Sequence, residues 1–420
     1  MASHVFLAAT LIALASAQTP GTSPEVHPKL TTWECTTAAG CTPRNNAIVL
    51  ESSMHLIHQK NSTSLGCVQG TTPDPAICPD EETCAQNCIM EGISDYTQYG
   101  VTTSGDSMRL DLFGPSGQYI SPRVYLLDED EKNYEMLQLT GKEFTFDVDV
   151  SRLPCGMNGA LYLSEMKADG GRSELNPGGA SYGTGYCDAQ CFVTPWVEGV
   201  GNIAGDGVCC NEMDIWEANR RSNQIAPHTC SKESLFTCKG DECGPTAAGV
   251  CDKNGCGDNP YLHRNDKTFY GPGLKVDTTK PFSVVTQFPA KDGVLQAIVR
   301  KYVQNGVVTE NTSVNITMDQ SFCDAQGGTS QFNALGGLKG MGDALSRGMV
   351  LALSVWWDQS GFMKWLDAGN SGPCNATEGD PKVIQQIEKS PTVTFSQIKW
   401  GEIGSTFGAA NNGTMYKWRA

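Results

Sequence analysis

The chain reads as all-β, a jelly-roll or sandwich of antiparallel strands, on three observations. Its strongest periodic segments are short and alternate with period 2. Helical patterns are scarce. Gly (46) and Pro (21) are spread along the whole length with no linker or low-complexity block between strand-like runs. Many strands joined by long loops, without strand–helix alternation, suit two packed antiparallel sheets. With no linker, no internal repeat and no cysteine-rich module after Cys374, residues 18–420 are expected to form a single domain with no separate binding module.

Residues 1–17 come first. Val5 to Leu14 is almost wholly apolar and Ala15-Ser-Ala17 supplies small residues for cleavage, the pattern of a secretory signal, although Met1-Ala-Ser-His4 lacks a positive charge. Asp80 is placed to cap a short helix running to about Ile89. Strands are expected at Phe144-Thr-Phe-Asp-Val-Asp-Val150, Ala160 to Met166, Ser283 to Phe288, Val294 to Arg300, Met349 to Trp357 and Thr392 to Phe395, with a second short helix near Gly342 to Arg347.

Charge narrows the partners. Thirty Lys and Arg against 46 Asp and Glu give −16, which repels phosphates and anionic lipid, so nucleic acid and membrane are expected to be excluded. No later apolar run approaches the roughly 18 residues of a membrane span. Eighteen cysteines fit the oxidising, extracellular route that the leader implies. Cys78, Cys84 and Cys88, or Cys251 and Cys256, lack the paired spacing of a zinc ribbon, and no metal is expected. Cys209 and Cys210 are adjacent; on a strand they point to opposite faces and should bond different partners. Sequons at Asn61, Asn311, Asn315, Asn375 and Asn412 are open to glycosylation.

The segment that carries chemistry is Asn211-Glu-Met-Asp-Ile-Trp-Glu-Ala-Asn219, with three carboxylates in six residues. On a regular strand Glu212, Asp214 and Trp216 share a face and Glu217 falls on the other. Glu217 joins the acids only if a β-bulge near Ile215 to Glu217 resets the alternation. Clustered acids are most often a solvated face, but Met213, Ile215 and Trp216 leave little other polar surface. Calcium would want oxygen ligands in a loop. Three carboxylates suit glycoside hydrolysis: an ionised nucleophile, a protonated acid, and a third that tunes both. A separation of about 5 Å between nucleophile and acid means retention, and about 6.5–9.5 Å inversion; residue order leaves this open. Sugar rings stack on aromatic faces, for which Trp356, Trp357, Trp365, Tyr162, Tyr182 and Tyr186 are candidates. Trp356 and Trp357 must face opposite ways, so one belongs to the core.

That run, together with Tyr182-Gly-Thr-Gly-Tyr-Cys-Asp-Ala-Gln-Cys191, Pro227-His-Thr-Cys230, Leu153-Pro-Cys-Gly-Met-Asn-Gly-Ala-Leu-Tyr162, Tyr270-Gly-Pro-Gly273, Val276-Asp-Thr-Thr-Lys280 and Gly401-Glu-Ile-Gly-Ser-Thr406, resembles the family 7 glycoside hydrolases, the fungal endoglucanases and cellobiohydrolases. The resemblance covers nearly all of the chain after the leader. It implies a sandwich whose concave face carries a cleft for β-1,4-glucan, and retention at the anomeric carbon. It further implies Glu212 as nucleophile, Glu217 as acid/base, Asp214 as the carboxylate that orients the nucleophile, and Asp188 and His228 in support. Asn158, Tyr162, Tyr186 and Gln190 would touch sugar near the cleavage point, with Trp356 and Trp365 as platforms on either side. No cofactor is implied, and the default is a monomer.

By the same resemblance the pairs are Cys35–Cys41, Cys67–Cys88, Cys78–Cys84, Cys155–Cys374, Cys187–Cys209, Cys191–Cys210, Cys230–Cys251, Cys238–Cys243 and Cys256–Cys323. Only seventeen residues separate Cys191 from Cys209, and Gly244 to Gly249 and Asp367 to Cys374 are also short. Such loops suit an open cleft and internal cutting rather than the covered tunnel of a cellobiohydrolase. A cellobiohydrolase, or a lectin-like glucan binder on the same sandwich, is the alternative; the binder would lose an acid, and all three are present. Met54 and Leu56 stand where relatives often carry aromatics, which predicts a preference for soluble or amorphous glucan.

Overall fold

The computed structural model describes residues 18–309, 317–325 and 330–407. The expected leader and the sequons at Asn311, Asn315 and Asn412 lie outside the described residues, while Asn61 and Asn375 are exposed.

The strands that carry the architecture are β1 (Lys29–Thr36), β2 (Gly40–Leu50), β3 (Ser107–Asp111), β4 (Arg123–Leu127), β5 (Lys142–Asp149), β6 (Met157–Ser164), β7 (Glu212–Ala218), β8 (Asn223–His228), β9 (Phe282–Gln287), β10 (Ala297–Gln304), β11 (Met349–Trp357) and β12 (Thr392–Glu402). Hydrogen bonding runs in the order β8-β7-β6-β11-β4-β2-β1-β12-β5-β9-β10, with β3 also on β12. These neighbours are antiparallel except β1 with β12. The sheet folds over on itself. Trp216 on β7 meets Phe146 on β5 at 6.1 Å and Phe282 on β9 at 5.9 Å between ring centroids, although those strands are far apart in hydrogen-bond order. The result is a sandwich with β8-β7-β6-β11-β4-β2 as one layer and β12-β5-β9-β10 as the other.

Alternation places the core. Leu161, Leu163, Met213, Leu351, Leu353 and Val355 of the first layer pack with Phe144, Phe146, Val148, Val284, Val393 and Phe395 of the second. Each such side chain contributes about 1.5–3 kcal/mol relative to exposure. The opposite face of the first layer carries a second cluster, including Val49, Tyr125, Ala160, Tyr162 and Ala352. β6 is therefore buried along its whole length.

Every expected strand is present. β11 matches Met349 to Trp357 at both ends, while Val294 to Arg300 is divided: Val294–Leu295 pairs with Ala290–Lys291, and β10 begins at Ala297. Asp80 caps α1 (Glu81–Asn87), its Oδ1 accepting from Thr83 N at 2.7 Å, and the chain leaves the helix at Cys88 to enter a short strand. The second expected helix starts earlier, as α2 (Gly337–Arg347). Gly337, Gly340 and Gly342 each lower helix propensity by about 1 kcal/mol, which hid its first half. Burial of Leu338, Met341 and Leu345 overrides them.

Seven of the nine expected disulfides form as written, and two are exchanged: Cys187 bonds Cys210 and Cys191 bonds Cys209. Cys209 and Cys210 do point to opposite sides, as neighbours on extended chain must. Cys210 packs with Cys187 against the cluster of Tyr125 and Tyr162, whereas Cys209 packs with Cys191 among Cys230, Cys238 and Cys251. Each sulfur bonds the partner on its own side. The sulfur groups at Cys78, Cys84 and Cys88 and at Cys191, Cys209 and Cys251 are all disulfide sulfurs, which offer no thiolate to a metal.

Candidate active site

The required bulge is present on β7. Against β6, Trp216 faces Leu161 and Met213 faces Leu163; against β8, Asp214 faces Ala226 and Glu217 faces Gln224. Both ladders hold one extra β7 residue between Met213 and Glu217. Ile215 and Trp216, adjacent in the chain, both enter the core with Met213 and Ala218. Glu212, Asp214 and Glu217 are left on the other face. Trp216 is thus not on the acids' side, where unbroken alternation places it, because the extra residue turns it inward.

The three carboxyls are 7, 7 and 9 % exposed. Burial, Asp214 and Asp188 push Glu212 well above the usual carboxylate range, with His228 and a hydrogen bond from Ala189 N (3.1 Å to Oε2) acting the other way. Burial first and Asp188 second raise Asp214 to about 8. Glu217 is raised to about 8 by burial and by Asp214, opposed by His228 and by Asn158, whose Nδ2 donates to Glu217 Oε1 at 3.0 Å. Like charges crowded out of water cannot all ionise. The cluster therefore holds protons at neutral pH, as a general acid requires.

Around the acids the other expected residues assemble. His228 Nε2 lies 3.0 Å from Asp214 Oδ2. Asp188 Oδ1 accepts from Gln190 N and its Oδ2 from the Tyr186 hydroxyl, at 2.9 and 2.7 Å. Tyr162 and Tyr186 hydroxyls are 3.1 Å apart, and Arg123 Nη1 donates to Tyr162 at 3.2 Å. A directed chain follows: Arg123 to Tyr162 to Tyr186 to Asp188. Arg123, which also lies 3.5 Å over the Tyr186 ring and is bound by both oxygens of Glu51, is a member that sequence reasoning missed. Glu51 and Arg123 are 72 residues apart and share no motif. Gln190 is half-buried, its amide donating to Lys253 O at 3.1 Å.

Asn158 is fully buried, and its Oδ1 accepts from Ala218 N at 3.0 Å while its Nδ2 holds Glu217. Both ends of the amide are engaged, and it clamps the acid. Trp356 and Trp365 are stacked on each other, 6.3 Å apart with 28° between planes. The two rings form one aromatic wall. Trp365 is 41 % exposed, whereas Trp357 is the member of its pair that enters the core. Leu56 is exposed, and Met54 packs partly against the core.

A sheet face bearing a buried trio of carboxyls with raised pKa, one of them clamped by an amide, is the kind of site found in carbohydrate hydrolases that work by acid/base and nucleophilic carboxyl chemistry. The chain belongs to glycosyl hydrolase family 7, whose model matches residues 20–407. A probable endo-β-1,4-glucanase of Aspergillus terreus is 56 % identical over 413 residues, covering 96 % of this chain and 97 % of that one. The native structure of the Humicola insolens endocellulase EGI superposes with a TM-score of 0.90 at 56 % identity, covering 93 % of this chain and all of that one. The structure of an endoglucanase I complexed with cellobiose gives 0.89 at 52 % identity, with 93 % of this chain and all of that one covered.

Proposed function

We propose that the chain is a secreted, retaining endo-β-1,4-glucanase with one catalytic domain, and that Glu212, Glu217 and Asp214 are nucleophile, acid/base and orienting carboxylate. The observation that carries this reading is the β7 bulge, which brings Glu217 onto the face of Glu212 and Asp214. Names of relatives at 52–56 % identity, all glucanases or cellulases, support the substrate class.

In the first step Glu217 gives its proton to the glycosidic oxygen as the Glu212 carboxylate attacks the anomeric carbon; the sugar–oxygen bond breaks and a glycosyl ester forms. In the second, Glu217, now ionised, takes a proton from water as that water attacks the same carbon and releases Glu212. Two inversions give retention. Asp214 holds the nucleophile between these steps, and the wall of Trp356 and Trp365 receives sugar faces. The many disulfides suit an exported enzyme.

Digestion of carboxymethylcellulose, followed by viscosity and reducing ends together, tests the proposal. A steep viscosity fall with few new ends is expected. New ends with little viscosity loss mean chain-end attack, and no change in either removes the glucanase reading. Glu212→Gln abolishes turnover while glucan binding survives, and near-normal activity would take Glu212 out of the nucleophile role.

A further inference from the structure

Behind the catalytic strand sits a charged residue that the mechanism does not use. On β10, Ile298, Arg300 and Tyr302 share the core-facing parity and are all buried. Arg300 is 2 % exposed in a position where alternation calls for an apolar side chain. Burial lowers its pKa; Tyr302 opposes this first and Asp258 last, and that Asp258 carboxylate is already bound through both oxygens by Arg264. A guanidinium taken out of water without an ion-pair partner of its own is destabilising unless its donors are met.

One of those donors points at the bulge and another at the neighbouring strand, while Nη1 is buried without a hydrogen bond among the described residues. Arg300 Nη2 donates to the carbonyl of Ile215, and Nε donates to Thr286 Oγ1 at 3.1 Å. Its guanidinium carbon is 5.8 Å from the Trp216 ring centroid and 6.0 Å from that of Tyr302. Ile215 and Trp216 are the two residues that the extra position turns into the core, and at a bulge the ladder is locally disrupted. Arg300 supplies a charge-assisted donor to a carbonyl at that place, from the opposite sheet of the sandwich. Thr286, on β9, pairs directly with Arg300 and fixes the fork.

We propose that Arg300 is a positioning residue: anchored by Thr286, it holds the Ile215 carbonyl and so sets the β7 bulge that aligns Glu217 with Glu212 and Asp214. It never touches sugar. Its effect passes through two backbone links to the acid, whose far side is clamped by Asn158. The inference rests on the reading of Glu217 as acid/base.

Leaving-group dependence separates this role from general support of the fold. An aryl cellobioside with a dinitrophenolate leaving group needs little proton donation, and a cello-oligosaccharide needs all of it. For Arg300→Met, kcat/KM on cellopentaose falls about thirtyfold more than on the dinitrophenyl substrate, a part of the roughly 10²–10⁴-fold that general acid catalysis supplies. The loss sits in kcat, with KM within about twofold. Arg300→Lys, which keeps one donor, recovers part of the cellopentaose rate.

Equal losses on both substrates, or no recovery by lysine, would overturn the proposal. Should the Met variant not fold, Thr286→Val tests the same point with the charge kept: a selective loss of about threefold on cellopentaose is expected, and a uniform loss or none overturns it. Failure of the underlying site reading looks different. In that case Glu217→Ala shows no rescue by the dinitrophenyl leaving group in an otherwise intact chain, and the Arg300 proposal falls with it.

Discussion

His228 Nε2 is 3.0 Å from Asp214 Oδ2, while its Nδ1 is 3.0 Å from the carbonyl oxygen of Asp252. A carbonyl only accepts, so Nδ1 carries a proton. The imidazole is thus set directly against Asp214, which lies between the two glutamates in sequence. Its field lowers the pKa of both Glu212 and Glu217.

Replacing it exposes that field. In His228→Leu, Glu212 is pushed further up and ionises less readily, so the acid limb of the kcat/KM profile moves to higher pH. About tenfold activity is lost on the acidic side for a limb displaced by one pH unit. A pH–rate profile on a soluble oligosaccharide checks this; an unmoved acid limb would remove His228 from the electrostatics of the nucleophile.

Buried acids leave a trace in stability as well. The folded pKa of Glu217 is about 8 against an ordinary value of 4.5. The folded state therefore binds the proton more tightly than the unfolded chain. Its contribution is fully present below about pH 4.5 and is lost as pH rises toward 8. Glu217→Gln removes that dependence, on the order of a few kcal/mol at the alkaline end. Thermal melts across this range are expected to show Tm falling less steeply with pH in the variant than in the parent.

Asn158→Ala tests the clamp on the acid. The amide lowers the pKa of Glu217 and also ties Ala218 N to β6. Without it, the alkaline limb moves to higher pH as Glu217 keeps its proton longer, and kcat falls about tenfold because the carboxyl loses its orientation. A fall in affinity for oligosaccharide with unchanged kcat would instead mark Asn158 as a sugar contact.

The aromatic wall predicts a change in binding alone. Trp365→Ala removes an exposed ring whose stacking is worth about 1 kcal/mol, about fivefold in KM, with kcat little altered. Kinetics on cello-oligosaccharides of increasing length check it. Trp356→Ala is expected to act in the same direction and less than additively with Trp365→Ala, since the two rings touch.

Residue type and order were enough for the class of fold, for the strands of the core, for the acid cluster and for the need of a bulge beside it. These depend on alternation, and alternation is local: β11 and the parity of Glu212, Asp214 and Glu217 can be read along one strand. The helix ends at Gly337 and Cys88 were less legible, because packing of Leu338 and the pairing of Cys88 to Met90 outweigh local propensity.

Contacts between distant segments were decided by the tertiary structure. Adjacent Cys209 and Cys210 had to part, but only the clusters on either side of the sheet determine that Cys191 takes the first and Cys187 the second. That Asn158 holds Glu217 and Ala218 with the two ends of its amide is seen only once its strand lies beside β7. Trp356 and Trp365 sit in different elements, and only folding brings their rings together. The raised pKa of the acids belongs to this second group too. A carboxyl in the chain carries its ordinary affinity for protons, and it is burial on the face of the first layer away from the core, beside Asp188 and one another, that changes it.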